Sequence, residues 1–256
     1  MQWLVEHSEG FGILDTNTQQ MTDALQALGM SYETVKVVPF SHELIIPAGF
    51  DLLQPTLVYG STLLASLAPS LMSPGAFYRP GMFDPRTWKH PRMLNKEIKT
   101  ITAAELRSEW IAEPVFVKSV KDKLHTGMVL EPADRNWWLI EQTEPNGEDE
   151  MLISPVREIT QEWRFFVVDG VVVAGSQYRH NGVRRIRETV YEWVFEAAAD
   201  CAKDWLPHPT VVMDLCLVGE DIYVLEFNCL NSSGFYNSDA QAILKALERG
   251  TGFEPA

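Results

Sequence analysis

The run VVMDLCLVGEDIYVLEFNCLNSSGFY, Val211 to Tyr236, restricts the possible folds of this chain more than any other stretch. β-branched and aromatic residues flank a Gly219-Glu220-Asp221 turn, which predicts two short antiparallel strands. Side chains alternate along a strand, so the turn length decides which residues share a face. A two-residue turn sends Asp214 and Glu226 to opposite faces; a three-residue turn pairs them. The odd-length turn also gathers Val211, Met213, Leu215, Leu217, Tyr223, Leu225 and Phe227 on one apolar face. It leaves Asp214, Glu226 and Asn228 together on the other, so the odd length is expected. Two carboxylates and an amide oxygen are hard donors suited to Mg²⁺ that keeps waters and takes further ligands from phosphates. An ordinary hairpin with a polar wet face is the alternative.

Two upstream segments carry charge that such a cluster could use. In PVFVKSVKDKLHTGMVLE, a strand over Val115–Lys118 ends on Lys118, which points to the same side as Phe116. The loop that follows holds Lys121, Lys123, Thr126 and Gly127, either a polyphosphate cradle or a solvated hairpin loop. In EITQEWRFFVVDGVVVAGSQYRHN, Asp169-Gly170 between alternating apolar residues predicts a two-residue hairpin turn. Regular pairing about it sets Arg164 opposite Gly175 and Glu162 opposite Gln177. Glu162, Arg164, Gln177 and Arg179 then share a face with Phe166 and Val173, while Trp163, Phe165, Val167, Val172 and Ala174 line the other. Arginine forks match phosphate and carboxylate bidentately, so this face suits an anionic ligand; a surface salt-bridge lattice is the alternative.

Around these segments the coarse pattern is α/β. Strands are predicted at residues 2–6, 32–38 and 56–59, and helices over Thr18–Leu28 and Thr62–Leu71, a small α/β unit with parallel pairing. Gly60-Ser61 reads as a tight turn, with a phosphate at the following helix N-terminus as the alternative. Pro74 to Pro91 is rich in Pro, Gly and aromatics. It reads as a linker with a short strand near Phe77-Tyr78, placing a domain boundary near residue 92. Asn95 to Trp110 reads as helical, with Thr102–Glu105 as a capping box. Trp137–Ile140 and Met151–Ile153 are further strands. Thr189 to Trp205 is a helix with an apolar stripe, and a last helix begins at Ser238 as its N-cap.

With 256 residues the chain can bury a substantial core, and its formal net charge of −14 argues against nucleic-acid backbones and anionic membrane surfaces as partners. Cys201, Cys216 and Cys229 have no C-x-x-C spacing, so neither a disulfide framework nor a zinc site is expected. No apolar run approaches a membrane span, and a cytoplasmic protein is expected.

In order, VFVKSVKDKLHTG, SPVREITQEWRFFVVDGVVV and VVMDLCL…YVLEFNCLNSSGFY resemble the ATP-grasp superfamily, in detail the phage and bacterial clade named for one arginine and two lysines. The resemblance covers roughly residues 92 to 250. It implies an α/β (α+β) ATP-grasp fold of two subdomains gripping ATP over 92–256, preceded by a Rossmann-like pre-grasp unit over 1–91. It further implies that Lys118 and Lys123 contact the phosphates and that the backbone of Ile153 to Val156 holds the adenine, with Glu158 near the ribose. Asp214, Glu226 and Asn228 would bind Mg²⁺, and Arg164 and Arg179 would stabilise the transferred phosphoryl group. Ser119 stands where relatives often have Pro, and Gly127 is the lone glycine of a loop that would form the phosphate flap. The implied activity is an ATP- and Mg²⁺-dependent, ADP-forming carboxylate–amine ligase working through an acyl-phosphate, on a peptide, amino acid or related small acid. A kinase on the same scaffold and a non-catalytic ATP-binding protein are the alternatives.

Overall fold

A computed structural model of the chain describes residues 1–7, 9–10, 13–14, 16–38, 43–51, 53–71, 74–75, 81, 84–108, 112–120, 127–133, 147–187, 190–231 and 233–249. The first elements are β1 (Gln2–Glu6), the ribbon β2 (Glu9–Gly10) and β3 (Ile13–Leu14), α1 (Thr16–Ala27), β4 (Tyr32–Val37), β5 (Leu44–Ile45), β6 (Thr56–Tyr59), α2 (Thr62–Leu71) and β7 (Pro74–Gly75). The sheet order is β5-β4-β1-β6-β7, with β1 parallel to both β4 and β6, as the alternation of strands and helices predicts. The predicted Phe77-Tyr78 strand lies outside the described residues.

Ligands of open parallel sheets bind beyond the carboxyl ends of the strands. Here the chain fills that place itself. The Asn231 amide donates to Val58 O at 3.1 Å and the Tyr59 hydroxyl to Ser233 O at 3.0 Å. At the start of α2 the Ser61 N–H donates to the Glu6 carboxylate, so Gly60-Ser61 is a structural turn.

A second sheet, β10-β9-β11-β8, is antiparallel throughout its measured ladders and is built from β8 (Lys99–Thr102), β9 (Val115–Ser119), β10 (Met128–Leu130) and β11 (Glu150–Pro155), with α3 (Ala103–Ser108) packed on it. Of the expected helix over Asn95–Trp110 the described residues form only Ala103–Ser108, and the rest is corrected: turns run through Glu97, and Lys99–Thr102 pair with β11 as a strand. β-branched residues suit that ladder better than a helix. The capping box is present, with Glu105 N–H donating to Thr102 Oγ1 and Thr102 N–H to Glu105 Oε2. Trp110 and Trp137–Ile140 lie outside the described residues.

The third sheet, β14-β13-β12-β15-β16, comprises β12 (Gln161–Val168), β13 (Val171–His180), β14 (Val183–Arg187), β15 (Val211–Val218) and β16 (Asp221–Asn228). α4 (Glu192–Asp204) covers one face and α5 (Ala240–Arg249) the other. Thr189 lies outside the described residues. The cap of α5 is Asp239, whose carboxylate accepts from Ala242 N–H at 3.0 Å, and not Ser238.

Two apolar cores flank this sheet. Trp163, Phe165, Met213, Leu215, Val224 and Phe227 pack under α4 with Val194, Ala198 and Cys201. On the other side Phe166, Val212 and Phe235 meet Ile243, Leu244 and Leu247 of α5 together with Trp3, Met21, Leu25, Leu57 and Tyr59 of the first sheet and its helix. Each fully buried Val, Leu, Ile, Phe or Met among them stabilises the fold by roughly 1.5–3 kcal/mol relative to exposure.

Candidate active site

The carboxylate face of β15 and β16 is made by a bulge, not by the turn. Val218 pairs with Asp221, so Gly219-Glu220 is a two-residue turn and the expected odd-length turn is corrected. The extra residue is Leu225: Leu215 pairs with Val224, and Asp214 with Glu226. A β-bulge opposes two residues to one and restores the parity that the turn lacks. Asp214, Glu226 and Asn228 therefore do share a face. Val224 and Ile222, in place of Tyr223 and Leu225, join the apolar side, and Leu225 turns into the cavity. At the same point Arg92–Leu94 covers the edge of β16: Val224 N–H donates to Arg92 O, and Leu94 N–H to Val224 O.

The Asp169-Gly170 turn has two residues, both at positive φ, as predicted. Two register shifts in β13 correct the pairing beyond it. Arg164 stands opposite Ser176 and not Gly175, Glu162 opposite Arg179 and not Gln177, and Ala174 lies with Phe166. Gln177 pairs with Trp163 and leaves the charged face. Tyr178 enters it: its hydroxyl donates to Glu162 Oε2 at 2.7 Å.

A cavity of about 400 Å³ opens between the second and third sheets. Phe116, Lys118, Gly127, Leu152 and Ser154 line one wall; Glu162, Arg164, Tyr178, Arg179, Asp214, Leu225, Glu226 and Tyr236 line the other. Pro85, Trp88, Met93, Asn95 and Ile98 close an end. Lys118 Nζ donates to Glu226 Oε2 at 3.2 Å, a contact that joins the two sheets. The Asn228 amide donates to Glu226 Oε1 at 3.0 Å. Burial alone would raise the Glu226 carboxyl, but Lys118, Asn228 and Arg164 outweigh it and hold it below the ordinary range.

Arg164 binds Asp214 through both forks, Nε to Oδ1 at 2.8 Å and Nη2 to Oδ2 at 2.7 Å. Asp214 is 1 % exposed and Arg164 11 %, so the pair is nearly dry. Burial lifts the Asp214 carboxyl from 3.8 to about 6; Arg164 opposes this, and the nearby Glu226 and Glu162 charges add to it. The guanidinium also lies 5.2 Å from the Tyr236 ring centre and 5.8 Å from that of Tyr178, and the two rings stack at 5.0 Å. Tyr236 has φ 51°, a left-handed backbone unusual for an aromatic residue. Gln20 of α1 holds it by donating to its carbonyl at 2.6 Å.

Of the remaining expected residues, Arg179 lines the cavity and its Nη1 donates to Glu162 at 3.3 Å. Ile153 packs into the core of the second sheet, while its neighbours Leu152 and Ser154 face the cavity. Val156 lines a second, adjoining cavity with Pro155, Ile159 and Leu225. Glu158 is exposed and lines neither of these cavities. Lys123 lies outside the described residues. Sequence reasoning misses Tyr178, Tyr236 and Leu225, whereas Ser154 falls within the expected 153–156 segment. Tyr178 and Leu225 arrive through bulges, which carry no residue signature, whereas Tyr236, at the end of Ser-Ser-Gly-Phe-Tyr, is marked as an aromatic in a turn.

Among the described residues no three of His, Cys, Asp and Glu gather as a metal cage. Asp214, Glu226 and Asn228 make a sparser donor set of two carboxylates and one amide. By donor type that set suits Mg²⁺, which keeps waters and phosphate oxygens as its other ligands, and not zinc. In this structure the Asp214 oxygens accept from Arg164, and those of Glu226 from Lys118 and Asn228.

A grip between two sheets, with a strand-end lysine on one and a D…E-x-N hairpin on the other, defines an ATP-grasp protein. Residues 93–246 match the ATP-grasp domain of family 2 in the clade named for one arginine and two lysines, and the chain belongs to that family. A search of curated proteins finds no match. Among solved structures the chain is similar to a RimK-domain ATP-grasp protein from Sphaerobacter thermophilus, with TM-score 0.64, 16% identity, and 96% of this chain and 99% of that one covered. It is also similar to D-alanine–D-alanine ligase from Bacillus anthracis, with TM-score 0.57 and 14% identity over 98% and 93% of the two chains. The third is the ATP-grasp ligase PsnB, solved with a phosphomimetic variant of its minimal precursor, Mg and ADP, at TM-score 0.56 and 13% identity over 96% of each chain.

Proposed function

We propose that this protein is an ATP- and Mg²⁺-dependent carboxylate–amine ligase that forms ADP by way of an acyl-phosphate. The observation that carries the reading is the Lys118–Glu226 contact beside the Arg164–Asp214 pair, two cations from two sheets converging on the carboxylates that suit a metal. The fold it shares with ligases of known name adds support. The division into a pre-grasp unit, 1–91, and a grasp unit, 92–256, is part of the proposal.

In this reading the adenine lies along 153–156 beside Leu225, and the phosphates run toward Lys118. A divalent ion held by Asp214, Glu226 and Asn228 would neutralise the phosphate oxygens. Lys118 then exchanges its contact with Glu226 for the phosphates, and Arg164, kept charged by Asp214, faces the developing negative charge. The acid's carboxylate oxygen forms a bond to the γ-phosphorus as the bond to ADP breaks. The amine next bonds to the acyl carbon, phosphate leaves with the electron pair, and the amine loses a proton. No side chain serves as a covalent nucleophile. Cys216 is buried and its thiol is pushed up to about 12 by that burial, which suits this view.

The test is ADP and phosphate release from Mg²⁺-ATP against pooled carboxylic acids and amines, with mass analysis of products. A ligase releases phosphate only when acid and amine are both present. Phosphate retained on the acceptor would identify a kinase, and Mg²⁺-ATP bound without turnover of any pair would identify a non-catalytic binder. Glu226→Gln should lower the rate by at least about 100-fold; a wild-type rate rejects the metal assignment.

A further inference from the structure

The three arginines on the charged face of the third sheet are not equivalent. Arg164 spends both of its forks on Asp214, and Arg179 is bonded to Glu162. Arg184, on the outer strand β14 directly across from Arg179, is exposed. Its only described contact is with the ring of Tyr236, 6.0 Å from guanidinium carbon to ring centre, and no carboxylate of the described residues meets it. The same ring lies 5.2 Å from the Arg164 guanidinium, so one aromatic ring has against it a guanidinium bonded to Asp214 and one that meets no carboxylate of the described residues. β14 also carries Arg185 and Arg187, a basic strip on a chain whose formal net charge is −14.

We propose that Arg184 on the Tyr236 shelf is the recognition site for a second carboxylate of the acid substrate, so that the substrate is an acid with at least two carboxylates. The proposal rests on the ligase reading and names the substrate class of that site. The carboxyl to be activated approaches Arg164, beside the proposed phosphates. A second carboxylate extends past Tyr236 and meets the free fork of Arg184, where two N–H donors match two oxygens. Tyr236 fixes the spacing between the two groups, and its left-handed backbone is held for that purpose by Gln20 and by Asn237 N–H, which donates to Ser176 Oγ. A simple monoacid leaves Arg184 unused. Side-chain carboxylates of an acidic peptide and a free dicarboxylic acid both satisfy this chemistry.

The experiment measures binding of acetyl-Glu-Glu-amide, acetyl-Gln-Gln-amide and glutarate to the full chain by ligand-observed NMR titration without nucleotide. The wild type should bind acetyl-Glu-Glu-amide at least about tenfold more tightly than the diamide, and Arg184→Ala should cut that preference to what one carboxylate at Arg164 supplies. Arg184→Lys should restore only part of it, because the fork is lost. Arg185→Ala removes the same charge one residue along and should change affinity less than about twofold. Glutarate binding as well as the peptide assigns the site to free diacids, and peptide binding alone assigns it to acidic peptides; either supports the proposal. An unchanged preference in Arg184→Ala, an equal loss in Arg185→Ala, or no binding of either acid overturns it. Mg²⁺-ATP calorimetry on the same preparation separates the two readings, since absence of nucleotide binding rejects the ligase while leaving the acid titration to be judged by itself.

Discussion

Asp214 and Arg164 face each other across β15 and β12 as a bidentate pair that is almost wholly removed from water. Removing one partner of such a pair strands the other charge, at a cost of about 3–5 kcal/mol. Asp214→Asn should therefore lower the unfolding free energy by that order as well as impair metal binding. Replacing Arg164 and Asp214 together by Met and Leu should recover most of the loss, because the paired desolvation cost is removed too. Denaturant unfolding of the two singles and the double checks this: additive losses would mean the residues act independently.

Gly127 gives a subtler handle on the opposite wall. A Cβ there would come within 2.7 Å of the Phe116 ring, which lines the cavity beside Lys118. Gly127→Ala should force the ring to swing and weaken Mg²⁺-ATP binding roughly tenfold, with a stability change under about 1.5 kcal/mol. Calorimetric titration and thermal unfolding of the same variant separate the two effects.

Gly175 is a matching position where the effect should fall on stability. A Cβ there would run into the Phe165 ring and lie 3.2 Å from Arg164 O, in the middle of the third sheet. Gly175→Ala should destabilise by about 1–3 kcal/mol. A midpoint equal to wild type in urea unfolding would show that the sheet repacks freely.

His90 supplies a pH dependence whose sign can be worked out. Its Nε2–H donates to Cys201 O at 3.0 Å and its Nδ1 accepts from Arg92 N–H at 3.0 Å, so the ring is neutral in the fold. Burial lowers its pKa below 6.5; Asp204 opposes the shift, and Arg92 and Lys96 reinforce it. As pH falls through 6.5 the unfolded chain takes up the proton first, and the stability from the neutral ring is lost by the time the folded ring titrates. Asp214 works in the reverse direction, since its raised carboxyl favours the fold as pH falls below about 6. The comparison of wild type with His90→Gln isolates the imidazole. Between pH 7.5 and 5 the difference in unfolding free energy, wild type minus variant, should fall; a constant difference would remove His90 from the account.

The faces of the site are legible in the sequence because burial sorts residues by parity, and parity is written in the alternation of Val211 to Phe227. The location of the odd residue is not. Leu225 in the strand and a third residue in the turn give the same pairing of Asp214 with Glu226, and an apolar residue at a bulge looks like any other. The same blindness displaces Ser176 and Tyr178 on β13. Lys118 is visible as a charge ending an apolar strand, but its contact with Glu226 joins residues of different sheets, beyond the reach of local pattern. Asn95 to Trp110 misleads for a related reason, since only the ladder to β11 makes Lys99–Thr102 a strand.

The apolar cluster that joins Trp3, Met21 and Tyr59 to Phe166, Phe235 and Leu244 has a consequence for how this chain can be cut. A fragment begun at residue 92 would retain all the charged groups of the cavity. It would also bare an oily surface along α5 and lose the Gln20 tether on Tyr236. Such a piece should clump on expression, and adding residues 1–91 as a separate polypeptide should bring it back into solution. The leading segment would then act as the permanent cover of the apolar face on α5, whether or not it is covalently joined.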